Sequence, residues 1–268
     1  MNWSALDAGI LGPALIAGLL VLATHVPLGM QVLDRGIVFI DLAIAQIAGL
    51  GVIAADAFGM PGGGVAVQAA AVTAALLGAW LLTWTERRAP QHQEALIGVM
   101  FILAACAGIL LLASNPHGSE HLKDLLVGQI LWVGTTQLLW LAGVSAALLL
   151  ALGLGWIDRL GRFGFYGAFA LAVTASVQLV GVYLVFSSLI IPALGTCAHR
   201  GARRLRIAYA VGALGYTLGL ALSALFDLPS GAVIVWTLAA CALAGALMPR
   251  PRRMEPTRPR IDRKHPLR

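Results

Sequence analysis

Charged side chains are scarce in this sequence, and their scarcity is the first guide to its class. Asp, Glu, Lys and Arg make up 11% of the 268 residues, whereas hydrophobic residues make up 59%. A water-soluble domain carries a much larger charged share, about a quarter of its residues. The composition therefore excludes a soluble globular protein and predicts an integral membrane protein.

The sequence also lacks the motifs of several enzyme classes. Its three cysteines, Cys106, Cys197 and Cys241, lie far apart in apolar stretches, so neither a disulfide nor a cysteine metal site is expected. No G-x-x-x-x-G-K-[ST] phosphate-binding loop occurs, and no serine stands in a Gly-x-Ser-x-Gly setting with a histidine partner. We therefore expect neither nucleotide hydrolysis nor intramembrane proteolysis from this chain, and no cofactor of its own.

The net charge of +6 arises at one end of the chain. The last twenty residues, 249–268, hold eight Lys/Arg and two acids, whereas the preceding body holds ten of each. A proline-rich basic tail behind a hydrophobic span is typical of a disordered cytoplasmic segment that lies against anionic lipid headgroups. Residues 1–248 are predicted to form one transmembrane domain and residues 249–268 a disordered tail.

Long apolar stretches alternate with short, turn-rich connections along the body. A helix needs about 20 apolar residues to cross roughly 30 Å of hydrocarbon, and lipid offers no partner for backbone groups outside a helix. We expect an all-α polytopic membrane protein with about eight transmembrane helices. The spans are predicted at 8–29, 36–57, 62–84, 94–114, 131–155, 166–197, 205–226 and 230–248.

The stretch 166–197 is about ten residues longer than one crossing needs. Arginines favour cytoplasmic loops, and the cluster Arg200–Arg206 keeps the alternation of the earlier basic loops only if this stretch crosses and returns. The stretch also contains Ser187, Ser188 and Pro192, residue types that suit a broken helix. We predict a discontinuous helix with a bend around Tyr183 to Ser188 and a short half-helix through Pro192. Non-helical backbone at this depth indicates transport.

Five segments then resemble, in order and approximate spacing, the membrane subunit of ABC importers for zinc, manganese and ferrous iron. They are "DRGIVFIDLAIAQIAGLGV", "EALIGVMFILAACAGILLL", "HGSEHLKDLLVGQILWV", "ASVQLVGVYLVFSSLIIPAL" and "DLPSGAVIVW". The similarity covers about residues 10–248. It implies a homodimer in a bacterial inner membrane, two ATPase subunits that bind ATP, and an extracytoplasmic protein that delivers the metal. By the weight of the family alone, zinc is the expected cargo.

The resemblance also directs attention to polar residues within the second span. Members of that family carry an Asp and, four residues later, a His, which share one helix face. Here Gln46 occupies the histidine position, and Asp41 precedes it by five residues, about 140° around the helix. Asp41 is either a carboxylate of the cation path or a structural acid that pairs with Arg35 or caps a helix. Gln46 either lines the path or forms an interhelical hydrogen bond.

Other candidate site residues lie in the first and sixth spans and in an outer loop. His25 and Gln178 either line the translocation path or pack through hydrogen bonds. In the loop "NPHGSEH", His117, Glu120 and His121 lie close together, and the spacing of the two histidines would allow them to bind metal on one helical turn. The competing interpretation is a polar loop with a helix start at Ser119.

The segment 155–167, "GWIDRLGRFGFYG", occupies the place of the family's coupling segment, which docks into the ATPase. The resemblance implies that Asp158, Arg159 and Arg162 take part in this contact. The segment is about ten residues shorter than the family pattern, so a simple basic connector is the alternative. For the whole chain, the predicted function is that of an ATP-driven importer's permease subunit. The alternative is an ion-coupled secondary transporter, although no second half repeats the first.

Overall fold

The computed structural model describes residues 7–58, 65–112 and 128–247, and the predicted tail lies outside these ranges. Within them the chain forms ten α-helices and no strand. Six helices, α1, α3, α4, α5, α7 and α9, are long and apolar enough to cross a membrane. The all-α polytopic prediction is confirmed. The helices are α1 (Ala8–Arg35), α2 (Ile40–Ala57), α3 (Val65–Arg88), α4 (Gln93–Leu112), α5 (Thr135–Gly153), α6 (Trp156–Arg159), α7 (Gly161–Val180), α8 (Val182–Gly195), α9 (Gly201–Phe226) and α10 (Ser230–Leu247).

Helix α7 forms the centre of the fold. In the apolar part of α7, 72% of the residues are buried, whereas the corresponding share in α4 and α5 is 17%. Phe165 and Phe169 on α7 are fully buried, and α1, α2, α3 and α5 pack around this helix. Because α4 and α5 leave most of their apolar side chains uncovered, they form the periphery of the protomer.

A glycine allows α8 to pack tightly against α1. A Cβ atom on Gly29 would lie 2.0 Å from the carbonyl oxygen of Leu189, so a larger residue cannot occupy this position. Small residues that permit such close backbone contact are a common source of helix association in membranes, where the hydrophobic effect between helices is weak. The middle of α8 is therefore fixed to α1 about two turns before the end of α1.

The long predicted span divides into two helices at Gly181. This residue has φ 80° and ψ 160°, a combination that is essentially restricted to glycine. The predicted bend at 183–188 is wrong, because these residues lie within α8. The Ser188 hydroxyl donates to the Leu184 carbonyl, 2.6 Å away, so this serine is accommodated without leaving the helix. The half-helix through Pro192 is confirmed, and Pro192 is buried inside α8.

The segment that precedes α5 packs against this break. The backbone N–H of Gln129 donates to the Leu179 carbonyl at 3.2 Å. This bond provides a partner for a carbonyl at the end of α7. Gly128, with φ 69°, lies so close to Val180 and Gly181 that an added Cβ would meet their backbone atoms. The break is therefore a supported element of the fold.

Contacts at the helix ends confirm that α7 and α8 leave one end of the protein and return to it. Arg35, at the end of α1, lies with its guanidinium carbon 3.9 Å from the ring centroid of Phe165, near the start of α7. Asp34 Oδ1 lies 3.3 Å from Nη1 of Arg204, in the first turn of α9. We call this end the basic end; that it faces the cytoplasm stays a prediction. It carries Arg35, Arg87, Arg88, Arg159, Arg162, Arg200, Arg203, Arg204 and Arg206.

Candidate functional site

His25 lies fully buried between α1 and α7. Its Nδ1 lies 2.9 Å from the Val21 carbonyl oxygen and 3.1 Å from the Thr24 hydroxyl. Its Nε2 lies 3.2 Å from the hydroxyl of Ser176 on α7. Since a carbonyl oxygen can only accept, Nδ1 donates to Val21 and Nε2 faces Ser176. Both ring nitrogens are engaged, which favours a packing role for His25.

Asp41 is fully buried in the first turn of α2. Neither of its carboxyl oxygens has a hydrogen-bond partner among the described residues. The suggested pairing with Arg35 is not formed, because the Arg35 guanidinium lies over Phe165. A buried acid without a partner carries a substantial free-energy cost, which the packing of the described residues does not offset. This favours the functional interpretation of Asp41.

Gln46 lies further along the same helix and is half-buried. No side-chain hydrogen bond joins it to another residue in the described ranges, so the suggested interhelical bond is not found there. Five residues of α-helix separate Asp41 and Gln46 by about 7.5 Å along the axis and about 140° around it. The two side chains therefore do not share one helix face, and a single cation cannot be held by both without rearrangement.

Gln178 on α7 pairs with a residue that the sequence analysis did not identify. The Gln68 Nε2 group on α3 donates to Gln178 Oε1 at 2.6 Å, and both side chains are half-buried. The Nε2 group of Gln178 is buried without a partner among the described residues. A signal was present, since Gln68 is a polar residue in the apolar stretch of α3, but no spacing rule joins residues 110 positions apart.

The half-helix α8 contributes a second polar contact that was missed. Ser188, fully buried, lies 2.8 Å from the Tyr216 hydroxyl of α9, while Ser187 lines a cavity between α8 and α10. The Tyr216 ring lies against Gly18 of α1, where an added Cβ would be 2.3 Å away. The glycines around Tyr216, at 212, 215 and 219, were the available sequence signal, since such a stripe indicates close helix packing.

The predicted coupling residues lie at the basic end. Asp158 and Arg159 are exposed in the short helix α6. The Nε atom of Arg162 lies 3.2 Å from Glu86 Oε1 at the end of α3, so Arg162 is partly committed to an internal ion pair. Only Asp158 and Arg159 of the three side chains are therefore directed outward without a described ionic partner.

Metal-binding side chains do not form a cluster in the described part of the chain. No group of three His, Cys, Asp or Glu residues within it is arranged to hold a metal ion. His117, Glu120 and His121 lie outside the described residues, so the predicted entry site stays a prediction. Within the described ranges, Asp41 is the strongest candidate for contact with a cation.

Comparisons with known proteins identify the family and the fold. The model of the ABC 3 transport family matches residues 7–163 and 157–248. The "Uncharacterized membrane protein slr2045" of Synechocystis sp. is 28% identical over 253 residues, 86% of this chain and 88% of that protein. The "Chelated iron transport system membrane protein YfeC" of Yersinia pestis is 27% identical over 207 residues, 69% of this chain and 68% of that protein.

Among solved structures, PsaBC from Streptococcus pneumoniae in complex with Fab has a similar fold. The TM-score is 0.75 at 22% sequence identity, and the match covers 92% of this chain and 96% of that one. At this identity the similarity shows the fold alone. The fold and the family match together describe almost the whole body of the chain.

Proposed function

Because the chain belongs to the ABC 3 transport family, we propose that it is the permease subunit of an ATP-driven importer of divalent metal ions. Zinc is the first cargo to test, followed by manganese and iron. The observation that carries the proposal is Asp41, a fully buried acid whose oxygens have no partner among the described residues. The name of the Yersinia pestis relative, which refers to chelated iron, supports a metal or its chelate as cargo.

Membership of the ABC 3 transport family also indicates the source of energy for transport. The sequence contains no phosphate-binding loop, so ATP would be bound and hydrolysed by a separate subunit. The family match argues against the ion-coupled alternative, for which the sequence also offers no internal repeat. This chain would therefore supply the membrane path and the conformational change, and a partner would supply the energy.

Helix α6 offers a contact surface for that partner. Ile157 is buried and anchors the helix against the protein, while Trp156 and Leu160 are 56% and 64% exposed. Gly155 and Gly161 flank this surface with positive φ angles of 68° and 61°, which fix sharp turns at both ends. We infer that Trp156, Asp158, Arg159 and Leu160 dock on the ATPase. Arg162, held by Glu86, positions this segment.

The proposed mechanism is alternating access in a homodimer. An extracytoplasmic binding protein delivers the metal, and closure of the ATPase subunits moves α6 and the start of α7. Asp41 lies in the first turn of α2, near the basic end, so the cation would reach it late in its inward passage. Because the Gln46 amide is a poor metal ligand beside imidazole or thiolate, the cation would be held weakly and released readily.

The test measures metal accumulation in cells in which the gene for this chain is deleted, restored, or restored as a variant. Zinc, manganese and iron are measured together by elemental mass spectrometry. We expect deletion to lower the uptake of one metal at least tenfold relative to the other two, a difference of about 1.4 kcal/mol or more in effective barrier. Asp41→Asn, alone or with Gln46→Ala, should fail to restore it at equal amounts of protein in the membrane.

Asp56→Asn is the matched control, because Asp56 lies on the same helix but is exposed. This variant should restore uptake fully. If deletion changes none of the three metals, the proposed cargo is wrong. If Asp41→Asn restores uptake as well as Asp56→Asn does, Asp41 is not part of the path.

The proposed partner has an independent test. The full-length chain, carrying an affinity tag, is purified from its own cells, and we expect an ATPase subunit to copurify. Arg159→Glu should reduce this recovery, whereas Arg203→Glu, an exposed change at the same end outside 155–167, should not. Recovery of the chain without any ATPase under conditions that preserve membrane complexes would contradict the proposed energy source.

A further inference from the structure

A cavity near the basic end of the protein is lined by residues other than the candidate path residues. A cavity of about 290 Å³ opens between the end of α3 and the start of α7. It is lined by Trp80, Thr83, Trp84, Arg87 and Phe163. Three aromatic side chains and one guanidinium thus surround an open pocket, and Asp41 is not among its lining residues.

The charge around this cavity is positive. Glu86, the neighbouring acid, is paired with Arg162 at 3.2 Å. Arg87 and Arg88 are both exposed and form no ion pair with a described residue. The Arg88 guanidinium carbon lies 5.5 Å from the ring centroid of Trp84, a cation–π contact with one of the lining residues. The cavity therefore has one arginine, Arg87, in its lining and a second, Arg88, beside one of its tryptophans.

The cavity also has a gradient from polar to apolar along α3. Arg87 and Arg88 are the last residues of the helix, whereas Trp84 and Trp80 lie about one and two turns deeper, roughly 6 and 12 Å along the axis. Tryptophans at this depth are typical of the membrane interface, and arginines at the helix end reach the headgroup layer. The pocket is arranged for a molecule with an anionic head and an apolar chain.

We propose that this cavity binds one anionic phospholipid of the leaflet at the basic end. The phosphate would contact Arg87 and Arg88, while an acyl chain would lie against Trp80, Trp84 and Phe163. Basic pockets between transmembrane helices are suited to anionic headgroups, and clusters of arginine near the surface attract acidic lipids. The occupant would rest between α3 and the first turn of α7, the helix that follows α6 in the chain.

A second cavity shows why charge complementarity decides the assignment. The pocket between α8 and α10 is larger, about 410 Å³, and its walls include Tyr183, Phe186 and Trp236. None of the described residues that line it is Lys or Arg. An acyl chain could fill it, but nothing there selects a headgroup. The pocket at Trp80 combines aromatic walls with Arg87 in its lining and Arg88 beside Trp84, so of the two pockets this one should distinguish lipids by charge.

The test compares lipid retention by the full-length chain purified in mild detergent. Native mass spectrometry measures retention of phosphatidylglycerol and of phosphatidylcholine. We expect the protein to retain phosphatidylglycerol in preference to phosphatidylcholine. The double substitution Arg87→Gln with Arg88→Gln should weaken phosphatidylglycerol binding about 25-fold or more, because each guanidinium would lose a direct charge-assisted hydrogen bond to the phosphate, worth about fivefold or more.

The matched control is Arg203→Gln with Arg206→Gln, which removes the same charge from exposed positions at the same end. This control should change phosphatidylglycerol binding by less than about threefold, because neither arginine lines the cavity and exposed charges that do not contact the headgroup are largely screened. Equal losses in the two double variants would overturn the proposal, because they would indicate general attraction to a basic surface. The basic tail is present in all variants, so its contribution stays constant.

A third variant tests whether the aromatic walls of the pocket contribute to lipid binding in addition to the charge of the arginines. Trp80→Leu with Trp84→Leu keeps both arginines, and these tryptophans are 56% and 47% exposed, so the fold should tolerate the change. We expect phosphatidylglycerol retention to fall at an unchanged melting temperature. Unchanged retention of phosphatidylglycerol would overturn the proposal that the lipid binds in this pocket. Loss of a copurified ATPase from the arginine variant, with lipid retention intact, would also overturn it and assign Arg87 and Arg88 to a protein contact.

Discussion

Two places in the protein bury a polar side chain, and they differ in the partners that they provide for it. One is the contact between α1 and α7, and the other is the first turn of α2. At the first place, His25 has hydrogen-bond contacts at both ring nitrogens, to Val21, Thr24 and Ser176. At the second, Asp41 is equally buried but has no partner for either oxygen among the described residues. The hydrogen bonds of His25 stabilise the packing of α1 against α7. At the second, the cost of burying the carboxyl group is not offset by any contact among the described residues.

The difference teaches how to distinguish structural from functional polar residues in a membrane helix. From the sequence, His25 and Asp41 are equivalent candidates for a cation path, since each is a single ionisable group in an apolar stretch. Their partners separate them. A hydrogen-bonded group resists removal because its partners would be left unsatisfied, whereas removal of an unpartnered group leaves the fold intact or improves it.

The largest effect on stability is expected at His25. His25→Ala would open a cavity in the α1–α7 contact and leave Ser176 without one of its partners, so the free energy of unfolding should fall by about 3 kcal/mol. Unfolding in detergent, driven by sodium dodecyl sulfate and followed by tryptophan fluorescence, measures the change. A stability within about 0.5 kcal/mol of the unmodified chain would remove the basis of the comparison.

Asp41 should give a change of opposite sign. Asp41→Leu replaces a buried acid that has no described partner with an apolar side chain, so the free energy of unfolding should rise by about 2 kcal/mol, while metal uptake should be lost. The same unfolding assay and the uptake assay are applied together. Asp56→Leu, at an exposed position of the same helix, should leave stability within about 0.5 kcal/mol. A destabilised Asp41→Leu variant would indicate a structural partner for this acid.

The architecture could be predicted because lipid restricts the chain to helices, and apolar runs mark where they lie. The return of α7 and α8 to one end was predictable from Arg200–Arg206, since basic residues favour one side of the membrane. The position of the break was not. Serines and a proline suggested 183–188, but only Gly181 adopts the required backbone angles, and Ser188 is accommodated by its bond to Leu184.

The partners of the site residues could not be predicted, because they are distant in sequence. Ser176 meets His25 across 151 positions, and Gln68 meets Gln178 across 110. Each of these residues is recognisable as polar within an apolar helix. Which pairs meet depends on helix rotation and tilt, which are determined by packing between helices and are not visible in hydrophobic periodicity.

The smallest effect is expected at Gln178, which lies between the two extremes. Its Oε1 accepts from Gln68 at 2.6 Å, while its Nε2 has no partner among the described residues. A double-mutant cycle of Gln68→Leu and Gln178→Leu should give a coupling energy of about 0.6 kcal/mol, the usual size for such bonds between membrane helices. Unfolding in sodium dodecyl sulfate measures the four proteins. A coupling near zero would show that Gln178 resembles Asp41 in being free for the path, and a coupling above about 2 kcal/mol would place it with His25.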